Sequence, residues 1–289
     1  MGRLCYTSGM RSAEAEKLAS DVAQRLIDVP GVVAVTLGGS RARGTHRPDS
    51  DLDLGIYYRA GEELDMRALR GLAAELDDRA DGEVVTEPGA WGPWVNGGAW
   101  LRIDGSPVDW LYRDLDRVQR VLDDCFAGRV TCDHCLGYVQ GFHNHIYLAE
   151  SHDCIVLADP EGALEAIRRR VASYPAALRE TIVRRYGVDA RFMLDNGRKG
   201  AKAGDVFYGA GCLFQCAGYL VQVLHALNGR YFSHDKGGLA ATREFELQPE
   251  AFQRRVEELL SNPGADAAQL LCSYDSMGVL IDEVQALAS

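Results

Sequence analysis

Asp51 and Asp53, two aspartates one residue apart, are the side chains in this chain whose type and spacing point most directly to chemistry. They lie at the start of an apolar run. Alternate side chains of a strand point to opposite faces, so both carboxylates share one face while Leu52 and Leu54 enter the core. Two adjacent carboxylates repel each other, and a divalent cation would hold them together. Mg²⁺ typically takes one or two carboxylates together with substrate phosphates.

A glycine-rich turn, Gly38-Gly39-Ser40, precedes this pair. It follows the apolar run 32–37, which indicates a buried β-strand. A spacer of ten residues then separates the serine from Asp51. The pattern predicts a strand, a turn that breaks it, and a second strand that carries the acidic pair.

A third carboxylate for a metal site should come from another strand beside the first two. Asp109 is the best candidate because it alternates with the apolar residues Val108 and Trp110. Residues 99–103 and 107–112 predict a hairpin around Asp104-Gly105-Ser106. The alternative is an ordinary carboxylate next to a hairpin turn.

Gly39-Ser40, the ten-residue spacer and Asp51-Leu52-Asp53-Leu54 together resemble the signature of the polymerase-β-like nucleotidyltransferase superfamily. Ser50 and Ala42-Arg43-Gly44 are similar to its small-molecule branch, which modifies antibiotics of the aminoglycoside and lincosamide type. The resemblance implies transfer of a nucleoside monophosphate, most often AMP from ATP but open to another triphosphate, to a hydroxyl with release of pyrophosphate. It also implies two Mg²⁺ ions held by Asp51, Asp53 and Asp109.

The same resemblance assigns the glycine-rich turn to the nucleotide. Gly39 and Ser40 would offer backbone N–H groups and a hydroxyl to the β- and γ-phosphates. Arg41 and Arg43 are both candidates for a phosphate clamp, with Arg43 slightly favoured.

The general base that accepts the proton of the attacking hydroxyl stays open between Glu150 and Asp109, with Glu87 beside the loop as a weaker candidate. Related small-molecule enzymes use a glutamate from the second domain, and Glu150 lies near the expected domain junction. A surface glutamate is the equally weighted alternative there, and Asp109 is the rival for the role. Lys202 and Lys236 lie in segments that resemble those relatives and are candidates for contacts with the nucleotide, with solvated charges as the alternative.

Two further groups of residues invite a functional interpretation. Trp91, Trp94 and Trp100 surround a loop rich in Gly and Pro and would line an acceptor pocket, with one of them in the core. Cys132 and Cys135, with histidines nearby, have the ligand types of a zinc site. Their spacing is unlike a structural zinc finger, which favours incidental thiols.

The remaining pattern predicts an α+β protein. An N-terminal domain, residues 1–135, is expected to have a small mixed sheet flanked by helices, and a C-terminal domain, residues 136–289, is expected to be a helical bundle. The resemblance implies that the first is the nucleotidyltransferase catalytic domain and that the second binds acceptor and nucleotide. Helical periodicity predicts these segments: 12–28, 62–79, 114–127, 162–173, 175–196, 204–227, 249–261 and 265–288. A short strand is expected over 83–86. The apolar stretch 210–227 contains Gln215, Gln222 and His225, so a buried helix is favoured over a membrane span.

The net charge and the cysteine content restrict the kinds of partner and the location that we expect for this protein. The 289 residues carry a net charge of −11, which disfavours a partner bound mainly through nucleic-acid phosphates. No secretory signal or membrane segment is expected, and eight cysteines without a signal favour the reducing cytoplasm. A small-molecule hydroxyl acceptor is the leading partner, and a homodimer is allowed. Protein-directed adenylylation and a non-catalytic nucleotide-binding module are the alternative functions.

Overall fold

The computed structural model describes residues 12–288. The N-terminal residues Met1–Tyr6, in which no signal is expected, lie outside this range. The strands are β1 Val32–Leu37, β2 Leu52–Tyr58, β3 Gly98–Ile103, β4 Ser106–Asp114, β5 Cys132–Cys135, β6 Tyr138–His143 and β7 Ile155–Ala158. The helices are α1 Ser12–Ile27, α2 Gly39–Ala42, α3 Met66–Leu76, α4 Leu115–Phe126, α5 Ile146–Asp153, α6 Ala163–Val171, α7 Ala176–Lys202, α8 Val206–Leu227, α9 Asp235–Ala241, α10 Phe252–Ser261 and α11 Ala267–Leu287.

The chain forms two compact units. The N-terminal unit comprises residues up to 121 together with 150–172, and the C-terminal unit comprises 122–149 and residues from 173 onward. The predicted boundary at 135/136 falls within the segment 122–149.

A five-stranded mixed sheet of order β3-β4-β2-β1-β7 organises the N-terminal unit. The central strands β2 and β4 are parallel, and the other neighbouring pairs are antiparallel. The predicted hairpin joins β3 to β4 through Asp104 and Gly105, which both have positive φ, as a type I′ turn requires. The α+β class and the flanked mixed sheet are therefore confirmed.

One face of this sheet is the core of the unit. Alternate residues of β2 and β4, among them Leu54 and Trp110, pack in one buried cluster with the apolar stripes of α1 and α3. Ala19 and Leu69, from the two helices, are fully buried there. Because the period of a strand is two, the intervening residues, including both Asp53 and Asp109, lie on the other face.

Helices dominate the C-terminal unit, and α7, α8 and α11 pack against one another. The helix α8 is long and apolar enough to cross a bilayer by length and composition, but 61% of its most apolar stretch is buried inside the protein. This burial agrees with the expectation of a core helix.

Two local predictions were wrong. Residues 83–86 form no strand. The amide of Val85 donates to the carbonyl of Gly82 within a turn, and Thr86 alone among these four residues donates a backbone hydrogen bond to Gly98 on β3. The helical character expected after residue 135 is interrupted by the β5–β6 hairpin and by the edge strand β7. These strands have four to six residues, too few to show a clear alternation in the sequence.

Candidate active site

Asp53 and Asp109 are direct register partners in the parallel pair of β2 and β4. Neighbouring strands lie about 4.8 Å apart, and residues in register share a face. The two half-buried carboxylates therefore lie side by side on the sheet face opposite the core. Asp51 immediately precedes β2 and is exposed.

The carboxyl group of Asp109 has the most perturbed acidity at this site. Burial, and to a smaller extent the negative charges of Asp53 and Asp51, together raise its pKa from 3.8 to about 7. Asp51 and Asp53 are thus close enough to act electrostatically on Asp109. Positive charge placed among them would relieve this repulsion.

This coupling predicts a pH-dependent stability. Since the folded protein disfavours ionised Asp109, the group costs stability progressively as pH rises from about 4 to about 7. Asp109→Asn removes that cost, so the variant should exceed the wild type in unfolding free energy at pH 8 by on the order of 2 kcal/mol. At pH 4 the gain should vanish. Urea unfolding with EDTA at both pH values measures the difference, and equal gains at pH 4 and pH 8 would contradict it.

The turn Gly38-Gly39-Ser40 lies directly against the acidic pair. The amide of Gly38 donates to the carbonyl of Asp53 at 2.8 Å, which fastens the end of β1 to β2. Gly39 has φ +62°, and a Cβ built on it would overlap the Asp53 carboxylate. Only glycine brings the backbone this close. Ser40 follows at the start of the short helix α2 and is half-buried.

Arg41 and Arg43 have different surroundings. The Arg41 guanidinium donates to the carbonyl of Ser50 at 2.7 Å and to that of Asp51 at 3.2 Å. It thus holds the ten-residue spacer against the beginning of β2. The Arg43 side chain is exposed at the end of α2. Arg43 is therefore accessible to a ligand, and its contact with phosphate stays a prediction.

Glu150 forms a bidentate ion pair with Arg113, with both N–H···O distances at 2.8 Å. Arg113 is buried on β4, four residues beyond Asp109, which is about 13 Å along the strand. The pair thus engages both carboxylate oxygens of Glu150. A role of Glu150 as general base stays a prediction, and this geometry favours a role in holding Arg113.

Substitution of Glu150 separates the two roles. Glu150→Gln should lower the free energy of unfolding by about 2 kcal/mol, because it leaves the buried Arg113 without its counter-charge. The kcat/KM of the enzyme should fall less than tenfold. Urea unfolding and steady-state kinetics test this. A loss of activity of 100-fold or more with unchanged stability would assign the base role to Glu150.

The acidic face fits a cation that takes part of its shell from substrate. Within residues 12–288, no three His, Cys, Asp or Glu side chains are arranged as a ready-made metal site. A cation held by Asp53 and Asp109 would complete its shell with phosphate oxygens, as Mg²⁺ does in such sites. Participation of the exposed Asp51 as a third ligand stays a prediction.

Cys132 and Cys135 lie on the β5–β6 hairpin of the C-terminal unit, and neither forms a disulfide. His143 lies next to Cys132, but its Nδ1 is hydrogen-bonded to the Tyr186 hydroxyl at 2.6 Å and its Nε2 to the Gln222 amide at 2.9 Å. Burial lowers the pKa of His143 to about 4, so the imidazole is neutral at pH 7. His143 therefore belongs to a buried hydrogen-bonded network with Tyr186 and Gln222. The interpretation of the two cysteines as incidental thiols stays a prediction.

The three tryptophans of the loop after α3 occupy two environments. Trp94 is 6% exposed, and the Arg117 guanidinium lies 4.5 Å from its ring. Trp91 and Trp100 stack on each other, with ring centroids 4.4 Å apart. Trp94 is thus the buried member of the three. That Trp91 and Trp100 line an acceptor pocket stays a prediction.

Lys202 and Lys236 both belong to the C-terminal unit and are exposed. Lys202 is the last residue of α7, and Lys236 lies in α9. Their contacts with nucleotide stay predictions.

Comparison with known proteins identifies a known domain family within the N-terminal unit. Residues 15–109 match the family model of the nucleotidyltransferase domain, and this segment contains the glycine-rich turn and all three aspartates. No curated protein matches the chain. A solved structure of a nucleotidyltransferase-like protein from Exiguobacterium sibiricum 255-15 is similar to this chain, with 7% sequence identity and a TM-score of 0.45. The match covers 94% of this chain and 74% of that protein, and the similarity is too low to carry a conclusion. Because residues 15–109 match this family model, the chain contains an N-terminal nucleotidyltransferase domain, and the protein is a transferase.

Proposed function

We propose that this enzyme transfers a nucleoside monophosphate, AMP from ATP, to a hydroxyl of a small molecule in a Mg²⁺-dependent reaction. The observation that carries the proposal is the in-register pair Asp53–Asp109, with the Gly39 backbone against the Asp53 carboxylate. A nucleotidyltransferase domain supports transfer of a nucleoside monophosphate in general.

Each residue at the site has a distinct task in this proposal. Backbone amides of the glycine-rich turn and the Ser40 hydroxyl bind the β- and γ-phosphates, and the exposed Arg43 adds a positive charge. Asp53 and Asp109, with Asp51, would hold Mg²⁺, which supplies Lewis-acid stabilisation of the charge on the phosphates. Positioning and charge stabilisation account for most of the catalysis in phosphoryl chemistry.

The proposed transfer requires one group that accepts the proton of the attacking hydroxyl. The acceptor oxygen forms a bond to the α-phosphorus, the bond from that phosphorus to the bridging oxygen breaks, and pyrophosphate leaves. Asp109, which lies on the acidic face beside Asp53, is the residue that we assign to receive the hydroxyl proton. We favour it over Glu150, whose oxygens both accept hydrogen bonds from Arg113.

A small, preferably cationic acceptor suits the charge of the protein. A net charge of −11 opposes binding through a nucleic-acid backbone and attracts cations. Amino-bearing antibiotics of the aminoglycoside and lincosamide type fit both this charge and the sequence resemblance. The seven cysteines within residues 12–288 form no disulfide bonds, which supports a cytoplasmic location. A homodimer stays a prediction.

Pyrophosphate release tests the proposal. The purified enzyme with Mg²⁺ and ATP should release pyrophosphate when an antibiotic acceptor from a panel that includes kanamycin and lincomycin is added. Release that requires a protein partner instead would support protein-directed adenylylation. No release under either condition would support a non-catalytic nucleotide-binding module.

A further inference from the structure

A tryptophan pair extends the acidic face of the sheet by one strand. Trp100 on β3 is the direct register partner of Asp109 on β4, and Asp109 is in turn the partner of Asp53 on β2. Register partners share a face and lie about 5 Å apart between Cα atoms. The glycine-rich turn, the acidic pair and the indole of Trp100 therefore follow one another across the sheet in the order of strands β1, β2, β4 and β3.

The indole of Trp100 is 59% exposed, an unusual state for so large an apolar side chain. Its neighbours on β3, Ala99 and Leu101, are buried in the core, so the strand directs Trp100 outward. The ring is held by its stack on Trp91 rather than by burial. Two stacked indoles form a flat, apolar surface that a second ring system can cover.

The loop that carries Trp91 is fixed at both ends. Thr86 N–H bonds the carbonyl of Gly98 at 2.8 Å, and Tyr112 N–H bonds that of Gly97 at 2.8 Å. Within the loop, Asn96 donates from its side chain to the hydroxyl of Tyr58. These bonds place Trp91 against Trp100 before any ligand binds, which lowers the entropy cost of using the pair as a binding surface.

The direction of attack assigns this surface to the acceptor. In nucleotidyl transfer the attacking and leaving oxygens lie roughly in line across the phosphorus. If the leaving pyrophosphate is held at Gly38-Gly39-Ser40, beside β1 and β2, the attacking hydroxyl approaches from the far side of the acidic pair. Trp100 lies on that side, beyond Asp109.

We propose that Trp100, supported by Trp91, is a specificity-determining residue that stacks on a ring of the acceptor. This proposal rests on the proposed function and adds the class of acceptor: a hydroxyl-bearing molecule with an aromatic ring or with the C–H face of a saturated ring, such as a sugar or a cyclitol. Stacking on an exposed indole is worth about tenfold or more in affinity.

Kinetics of Trp100 variants test the proposal. Trp100→Leu should raise the KM of a ring-bearing acceptor by about tenfold or more and leave the KM of ATP within twofold. Trp100→Phe, which keeps a smaller ring, should recover most of the loss. Phe192→Ala, at an aromatic residue 64% exposed on α7, is the matched control and should change neither constant. A rise in the KM of ATP would place the base of the nucleotide on Trp100 and overturn the proposal, and so would Trp100→Leu behaving as the control.

A binding measurement decides the matter independently of turnover. The protein contains four tryptophans, so 5-fluorotryptophan labelling should give four ¹⁹F resonances, with Trp100 assigned from Trp100→Phe. Addition of kanamycin or lincomycin to the complex with Mg²⁺ and α,β-methylene-ATP should shift the Trp100 signal. No shift with either probe would overturn the proposal. Absence of pyrophosphate release despite such a shift would instead count against the proposed function alone.

Discussion

Asp53→Asn is expected to lower kcat/KM for nucleotidyl transfer by about 10³-fold or more. The amide keeps the shape of the side chain but removes the charge that would bind Mg²⁺ beside Asp109. The variant should stay folded, because the substitution also removes a like charge that raises the pKa of Asp109. Pyrophosphate release and circular dichroism measure the two effects.

Asp49→Asn is the matched control for this substitution. Asp49 lies four residues earlier, is exposed, and forms only a surface ion pair with Arg47 at 3.3 Å. Its loss should change kcat/KM less than twofold, since exposed ion pairs contribute little. Activity of Asp53→Asn within tenfold of the wild type would remove Asp53 from the catalytic site.

Gly39→Ala is expected to lower kcat/KM by about 100-fold or more. The added Cβ would overlap the Asp53 carboxylate, so this side chain must move away from Asp109. A displacement on the scale of 1 Å at a catalytic group can cost about 10²-fold in rate. The positive φ of +62° adds a stability cost of about 1–2 kcal/mol.

Gly44→Ala isolates the steric part of this effect. Gly44 has a similar φ of +69°, but a Cβ there would meet no atom within 4 Å. It should therefore lose about 1–2 kcal/mol of stability and keep kcat/KM within threefold. Kinetics and thermal unfolding of both variants provide the comparison. Equal activity losses in the two variants would mean that backbone strain, and not the contact with Asp53, explains the result.

Much of the site could be predicted because strand periodicity is a strong local signal. The alternation around Asp51 and Asp53, and around Asp109, predicts which residues leave the core, and the structure places Asp53 and Asp109 in register. The type I′ hairpin was predictable from Asp104 and Gly105, since few residues tolerate two successive positive φ angles.

Non-local contacts were beyond reach of the sequence. The ion pair between Arg113 and Glu150 joins residues 37 positions apart, and no periodic pattern marks it. The register of β3 against β4 brings Trp100 beside Asp109. A hairpin turn one residue longer or shorter would change this register. The edge strand β7 is too short for its pattern to differ from that of a loop.

The central claim, transfer of a nucleoside monophosphate at the Asp53–Asp109 pair, is tested most directly by mass analysis of the products. With Mg²⁺, ATP and an acceptor that supports turnover, each ATP consumed should yield one pyrophosphate and one acceptor heavier by one AMP group. Asp53→Asn should yield neither product above background. Formation of ADP with a phosphorylated acceptor, or unchanged product from Asp53→Asn, would contradict the claim.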